Sequence, residues 1–315
     1  MKKILSISTV LAIGILFTDS IPQVDEMCLV YKVVYNKEVK IDSILLQETR
    51  FDLQQKPIFE VEYFGDGSSV NFRTKYVYEE SNLKQVTVED REKNIEQTSY
   101  TYNSIGKISK IETYINGKKN TAQEYAYHDN KLIKFSKYKY EGNQRILESC
   151  EFKLYESGKL INELVTNHKG DTTFRGIYRY LAPNTIEYKA YGSDHREVES
   201  YRSIFANDSV LLNKTFFQND EVVYKETYAY DFLLRLTKKE VTNKKGEIVE
   251  SEEYLYSPKM LLKATRTDHR ENSKEVTEYD EKTGKTKIEE FWRNDTLEIR
   301  LYYIYSGKMN NNISN

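Results

Sequence analysis

Polar and apolar residues alternate along this chain in short runs, most often as Tyr-x-Tyr. A period of two puts both rings on one face of an extended strand, so each pair predicts a strand with one tyrosine-bearing face. The pair recurs as Tyr76/Tyr78, Tyr100/Tyr102, Tyr125/Tyr127, Tyr178/Tyr180, Tyr228/Tyr230, Tyr254/Tyr256 and Tyr303/Tyr305. Degenerate copies, Phe152/Leu154, Tyr201/Ser203 and Thr277/Tyr279, fill the gaps and keep successive units 23–27 residues apart. Phe51/Leu53 extends the rhythm upstream. A turn follows each pair, then Lys-(Ile/Leu) and a second β-prone stretch closed by another turn. Asn116-Gly117 is the strongest hairpin signal, and Glu141-Gly142-Asn143, Lys169-Gly170-Asp171 and Lys245-Gly246-Glu247 hold the same place later. No long segment keeps apolar positions at helical spacing.

The prediction is an all-β fold: a long antiparallel meander of ten or more two-stranded units of about 25 residues, curled or solenoid-like, each unit leaning on its neighbours. One elongated repeat domain is expected over 21–308. Pro57, Pro183 and Pro258 fall in turns or at strand edges. The paired tyrosines are read as structural, packing across strands in place of a thick aliphatic core. The second strand of a unit is ambiguous, because Ile108 with Ile111, Leu160 with Ile161, and Leu132 with Ile133 and Phe135 point to both faces. Either a bulge resets the register or both faces are partly covered. Cys28 and Cys150 lie about five units apart, roughly 48 Å in a flat sheet at ~4.8 Å per strand. No disulfide is expected between them unless the sheet closes at about ten strands per turn.

Composition sharpens this reading. The 315 residues include 27 Tyr, 13 Phe and one Trp, and the 39% apolar share counts those tyrosines. So little aliphatic material argues against a thick-cored enzyme, while the aromatics and balanced charge argue against disorder. A formal net charge of −2 leaves no footprint for nucleic acid. Lys2 and Lys3 before the apolar run Ile4–Phe17, with Thr18-Asp19-Ser20 after it, predict a signal peptide over 1–20. The run is too short for a bilayer, so no membrane span is expected. The exported chain is placed in the periplasm, at the cell surface or outside, with a flexible Asn-rich tail at 309–315. Asp25-Glu26-Met27 before Cys28 lacks the small residues of a lipid-anchor site.

The stretch Tyr100-Thr101-Tyr102-Asn103-Ser104-Ile105-Gly106-Lys107-Ile108, followed by Tyr125-Ala126-Tyr127-His128-Asp129, resembles the RHS/YD repeat, roughly Tyr-x-Tyr-Asp-x-x-Gly-(Arg/Lys)-Leu. The resemblance is compositional and covers most of 21–308. It implies a hollow β-shell or coiled ribbon, used as an encapsulating or display scaffold in bacteria. The Asp-Pro-Gly-type motif and C-terminal toxin of the large family members have no counterpart here. Tyr114-Ile115-Asn116-Gly117-Lys118 is more weakly similar to YwqK-type antitoxin and MORN-like repeats.

Candidate chemistry is sparse. His128, His168, His195 and His269 all fall in polar turns, and the shared Asp-His-Arg-Glu at 194–197 and 268–271 is expected to mark equivalent turns. Glu79-Glu80 and Glu289-Glu290 should point to opposite faces. Ser104-Ile105-Gly106-Lys107 and Gly65-Asp66-Gly67 read as turns. Trp292, the one Trp, breaks the usual tyrosine usage and is the candidate exposed binding platform. No catalytic residue, metal ligand or cofactor is assigned. The expectation is a non-enzymatic exported protein presenting a β surface to a protein or glycan partner, in an oligomeric state the sequence leaves open. A periplasmic immunity or antitoxin-like role and a glycan-active enzyme are the alternatives.

Overall fold

A computed structural model describes residues 26–306 apart from 37–38, 183 and 208. The signal peptide assigned to 1–20 and the tail assigned to 309–315 lie outside the described residues. Every regular element among the described residues is a strand, in agreement with the all-β expectation. The chain opens with β1 (Glu26–Asn36), β2 (Val39–Phe51), β3 (Pro57–Tyr63), β4 (Val70–Glu79) and β5 (Asn82–Asp90). Next come β6 (Ile95–Tyr102), β7 (Ile108–Ile115), β8 (Lys118–His128), β9 (Lys131–Glu141), β10 (Gln144–Glu156) and β11 (Lys159–Asn167). The second half starts with β12 (Thr172–Ala182), β13 (Thr185–Gly192), β14 (Glu197–Phe205), β15 (Leu211–Gln218) and β16 (Glu221–Tyr230). It ends with β17 (Leu236–Asn243), β18 (Ile248–Tyr256), β19 (Leu261–Asp268), β20 (Ser273–Tyr279), β21 (Thr286–Arg293) and β22 (Thr296–Ser306).

Each strand pairs antiparallel with the next, and the last pairs with the first. Cys28 lies opposite Tyr305, Val30 opposite Tyr303 and Val33 opposite Arg300. The sheet is therefore a closed 22-stranded barrel, which corrects the curled or solenoid-like form expected from the sequence. Closure removes both free edges, the liability an open meander of this length would carry. It also corrects the expectation of no membrane span. No helix among the described residues is long and apolar enough to cross a bilayer, but a closed barrel is the form in which strands cross one. Cys28 and Cys150 are both buried and unpaired, on β1 and β10 of the ring.

Why the unit repeats is visible in its contacts. The second tyrosine of a pair sits at a register shift: the ladder slips at Tyr78, Tyr102, Tyr127, Tyr230 and Tyr256. The extra residue on the facing strand is Ser109, Ile133 or Ile161 in three successive units. A bulge therefore resets the register and accounts for the mixed parity of Ile108 with Ile111 and of Leu160 with Ile161. At the bulge the tyrosine hydroxyl reaches back one unit. Tyr102, Tyr127, Tyr180 and Tyr230 donate to the carbonyls of Leu83, Ile108, Leu160 and Leu211 at 2.8–3.1 Å.

In six units the basic residue after the turn covers the same ring from the neighbouring unit. Lys56 lies over Tyr78, Lys107 over Tyr127, Lys131 over Tyr155, Lys159 over Tyr180, Arg235 over Tyr256 and Lys285 over Tyr305, at 4.4–5.2 Å from the centroids. Each cation–aromatic contact is worth about 0.5–1 kcal/mol where exposed. The Tyr-x-Tyr and the Lys-(Ile/Leu) of the sequence thus bind consecutive units to each other along one rim of the ring. That first rim carries the turns leaving even-numbered strands, and the second rim carries the rest.

Candidate functional site

The wall has two faces, fixed by the register. On the tyrosine face Tyr178, Tyr188, Tyr201, Phe216 and Tyr224 form a row across β12–β16 with neighbouring centroids 4.1–5.7 Å apart. Tyr178 and Tyr188 both donate to Glu163 Oε1, at 3.3 and 2.7 Å. Gly176 lies beneath them, and a Cβ there would approach Glu163 Oε1 to 2.5 Å. These rings pack on one another, as aromatic pairs do when they serve as core.

The opposite face departs from this order at β10. Tyr155, not Leu154, sits at the bulge and under Lys131. The pair of that unit is therefore Lys153/Tyr155, and the assignment to Phe152/Leu154 is out by one residue. A one-residue slip sends side chains to the other face. Phe152 and Leu154 accordingly project away from the tyrosines, 40% and 58% exposed.

They are not alone there. Lys134, Phe152, Leu164, Arg175 and Tyr191 face one another in direct register across β9–β13. A parallel row joins Leu154, Asn162 and Ile177. Ile133, the extra residue of the β9 bulge, adds to them. Together they line a half-open trough of about 820 Å³, with Thr172, Gly192 and His195 towards the second rim. That volume lies within the ~300–1,000 Å³ range of ordinary ligand sites.

Charge in the trough has one sign. No lining residue is Asp or Glu. Lys153 contributes to the lining, but its ammonium is taken up 2.9 Å from Glu151. Lys134 stands over the Phe152 ring at 5.5 Å. Arg175 is exposed and has no hydrogen-bond or ion-pair partner among the described residues. An apolar floor with an unpaired guanidinium suits a ligand that joins apolar groups to an anionic oxygen.

The residues singled out from sequence lie elsewhere. Trp292 is half-buried on β21; its Nε1 donates to Glu290 at 3.1 Å and Lys274 lies 4.8 Å from its ring centre. Its ring is thus engaged by its own neighbours and is far round the ring from the trough. His195 and His269 both stand at the second rim but in different roles. His195 is in the left-handed position of its turn (φ 61°) at the end of the trough, whereas His269 Nε2 lies 3.1 Å from Ser251 Oγ. Six strands separate them, so they form no pair. Glu289 and Glu290 do face opposite ways, since β22 puts Leu301 across from one and Arg300 from the other. Sequence reasoning missed the trough. Its signal was the large apolar residue on the face opposite the tyrosines, where neighbouring units carry Thr101 or Ala126.

No protein family matches this chain, and no curated protein does. Among solved structures, a TcdB2-TccC3 crystal structure is similar at 12% identity and a TM-score of 0.33, over 85% of this chain and 16% of that one. The chain thus spans about a sixth of that chain's length. A porin-like protein from Bacteroides uniformis is similar at 8% identity and a TM-score of 0.32, over 90% and 96% of the two chains. One from Bacteroides vulgatus is similar at 12% identity and a TM-score of 0.23, over 90% and 99%. At such scores the likenesses carry no argument about function, and the barrel stands on its own strand pairing.

Proposed function

We propose that this chain is an exported, non-enzymatic protein of the bacterial envelope whose barrel binds a partner in the trough across β9–β13. The observation that carries the reading is an apolar depression of about 820 Å³ holding an unpaired Arg175 and no carboxylate. The lining favours a protein partner over a glycan. Sugars stack on flat exposed rings, whereas here Lys134 already stands over the Phe152 ring and, Tyr191 apart, the rest of the apolar floor is aliphatic: Ile133, Leu154, Leu164 and Ile177. The bound segment would place aliphatic side chains on that floor and a carboxylate on Arg175.

Anilinonaphthalene sulfonate, an apolar anion, is a suitable first probe. The folded chain should enhance its fluorescence, and Phe152→Ser with Leu154→Ser should weaken that binding at least tenfold. The same pair of variants, used as bait against the exported fraction, should fail to hold a protein that the wild type retains. Equal dye binding and equal capture by both chains would reject the trough, and turnover of a substrate by the pure protein would reject the non-enzymatic reading.

A further inference from the structure

We infer that the first rim docks on a lipid bilayer surface, led by the hairpin tip Phe232-Leu233-Leu234 between β16 and β17. The three side chains are 90%, 50% and 62% exposed, an apolar run at the outermost point of a turn. Runs of exposed apolar residues are avoided unless they do something.

The tip is held in shape. Asp231 Oδ1 accepts the backbone N–H groups of Leu233 and Arg235 at 2.9 and 3.0 Å, and Oδ2 lies 2.7 Å from the Arg235 guanidinium. Arg235 also donates to the carbonyl of Ser257 in the next turn of the rim at 2.8 Å. Leu234 occupies the left-handed region, φ 60°, at the position that Gly106 fills in the like turn between β6 and β7.

The partner's shape follows from where apolar tips recur. Leu53 and Ile105, 52% and 54% exposed, stand at the tips of the β2–β3 and β6–β7 turns of the same rim. Turns at three separated places round a 22-stranded ring meet a common partner only if it is broad and flat. A bilayer surface is such a partner; three small tips are too little area for a stable protein interface, which buries about 1,000 Å² or more. The second rim differs: its tips include Arg91-Glu92-Lys93 and Lys244-Lys245. Its most exposed apolar residue, Val198, lies inside a strand.

What lies behind the tips fits the headgroup layer. The six cation–aromatic pairs described above circle this rim, and tyrosine with lysine or arginine is the usual furniture of that layer. Lys259, exposed in the turn beside the tip and with no ion-pair partner among the described residues, gives the contact a preference for anionic lipid. Away from the rim both faces of the wall carry charge: Lys110 and Glu112 on one, Glu163 and Lys239 on the other. Exposed apolar residues such as Leu154, Leu255 and Ile304 also occur singly within strands, but three in succession at a turn tip occur at Phe232–Leu234.

Co-flotation of the folded chain with vesicles of phosphatidylcholine and phosphatidylglycerol tests the inference independently of the trough. The wild type should float with the vesicles, and Phe232→Ser with Leu233→Ser should lower its partition at least tenfold. Lys259→Glu should lower it a few-fold on mixed vesicles and leave it unchanged on phosphatidylcholine alone. Phe232→Ser by itself alters a side chain with almost no packing, so a preserved melting curve shows that loss of binding is not loss of fold. Val198→Ser on the second rim should float like the wild type. A wild type that stays in the soluble fraction, or a double variant that floats equally, overturns the inference. Rim-dependent capture of a protein without any vesicle binding overturns it as well, in favour of a protein contact.

Discussion

The two faces of this barrel wall are built from the same strands but obey different rules. On the tyrosine face the units repeat: rings pack on rings across β12–β16, and Tyr102, Tyr127, Tyr180 and Tyr230 tie back to the unit before. On the opposite face the same register brings Phe152, Leu154, Leu164 and Ile177 together at one place, beside an Arg175 that pairs with nothing. The contrast teaches that regularity here serves stability, and that an interruption on the other face leaves side chains free to bind. Substitutions on the two faces should therefore separate folding from binding.

The largest effect is expected on the tyrosine face. Tyr76 is buried at 7% exposure against Val86 and Val88. Tyr76→Ala should cost about 3–5 kcal/mol, as large-to-small changes at buried aromatic sites do, read as a lowered unfolding midpoint. A loss below 1 kcal/mol would mean the tyrosines are not the core of the wall.

Beside it, burial and the neighbouring Glu62 push the Glu60 carboxyl up to about 7 from an ordinary 4.5. Because the folded state then holds the proton more tightly than the unfolded one, this group favours folding most below pH 4.5. That contribution fades as pH rises through 7 and stays lost above it. The change is on the order of 3 kcal/mol. Glu60→Gln should flatten the slope of stability between pH 4.5 and 7 and stabilise the chain at pH 8. An unchanged slope would remove Glu60 from the account.

On the opposite face Leu154→Ser should change stability by no more than about 0.5 kcal/mol while weakening the apolar-anion probe. Large destabilisation would make Leu154 part of the core and erase the contrast between the faces. At the hairpin tip the sign reverses: Leu234→Gly should raise stability by up to about 1 kcal/mol, because glycine takes φ 60° without strain.

Much of the tyrosine face was legible in the sequence. The parity of Tyr100/Tyr102, the Asn116-Gly117 turn and the mixed parity of Ile108 with Ile111 are local signals, and local geometry answers them as strand, hairpin and bulge. Closure was not legible. It rests on Cys28 meeting Tyr305 and Val30 meeting Tyr303, contacts between chain ends that a meander's local pattern does not announce. The trough was hidden by the same rhythm that revealed the fold. Fitting Phe152/Leu154 to the tyrosine phase assigned them to the wrong face, and only the bulge at Tyr155 shows the slip. Trp292 drew attention as a rare residue, yet rarity says nothing about whether Lys274 and Glu290 already occupy its ring.

Both rules depend on the wall being closed, and that is measured most directly at the seam. Leu29 on β1 faces Ile304 on β22, close enough in an antiparallel ladder for cysteines there to bond. In a Cys28→Ser, Cys150→Ser background, Leu29→Cys with Ile304→Cys should form an intramolecular disulfide under mild oxidation, seen as a single cross-linked peptide after proteolysis. Two thiols that stay free in the folded chain, both still open to alkylation, would contradict the closed barrel.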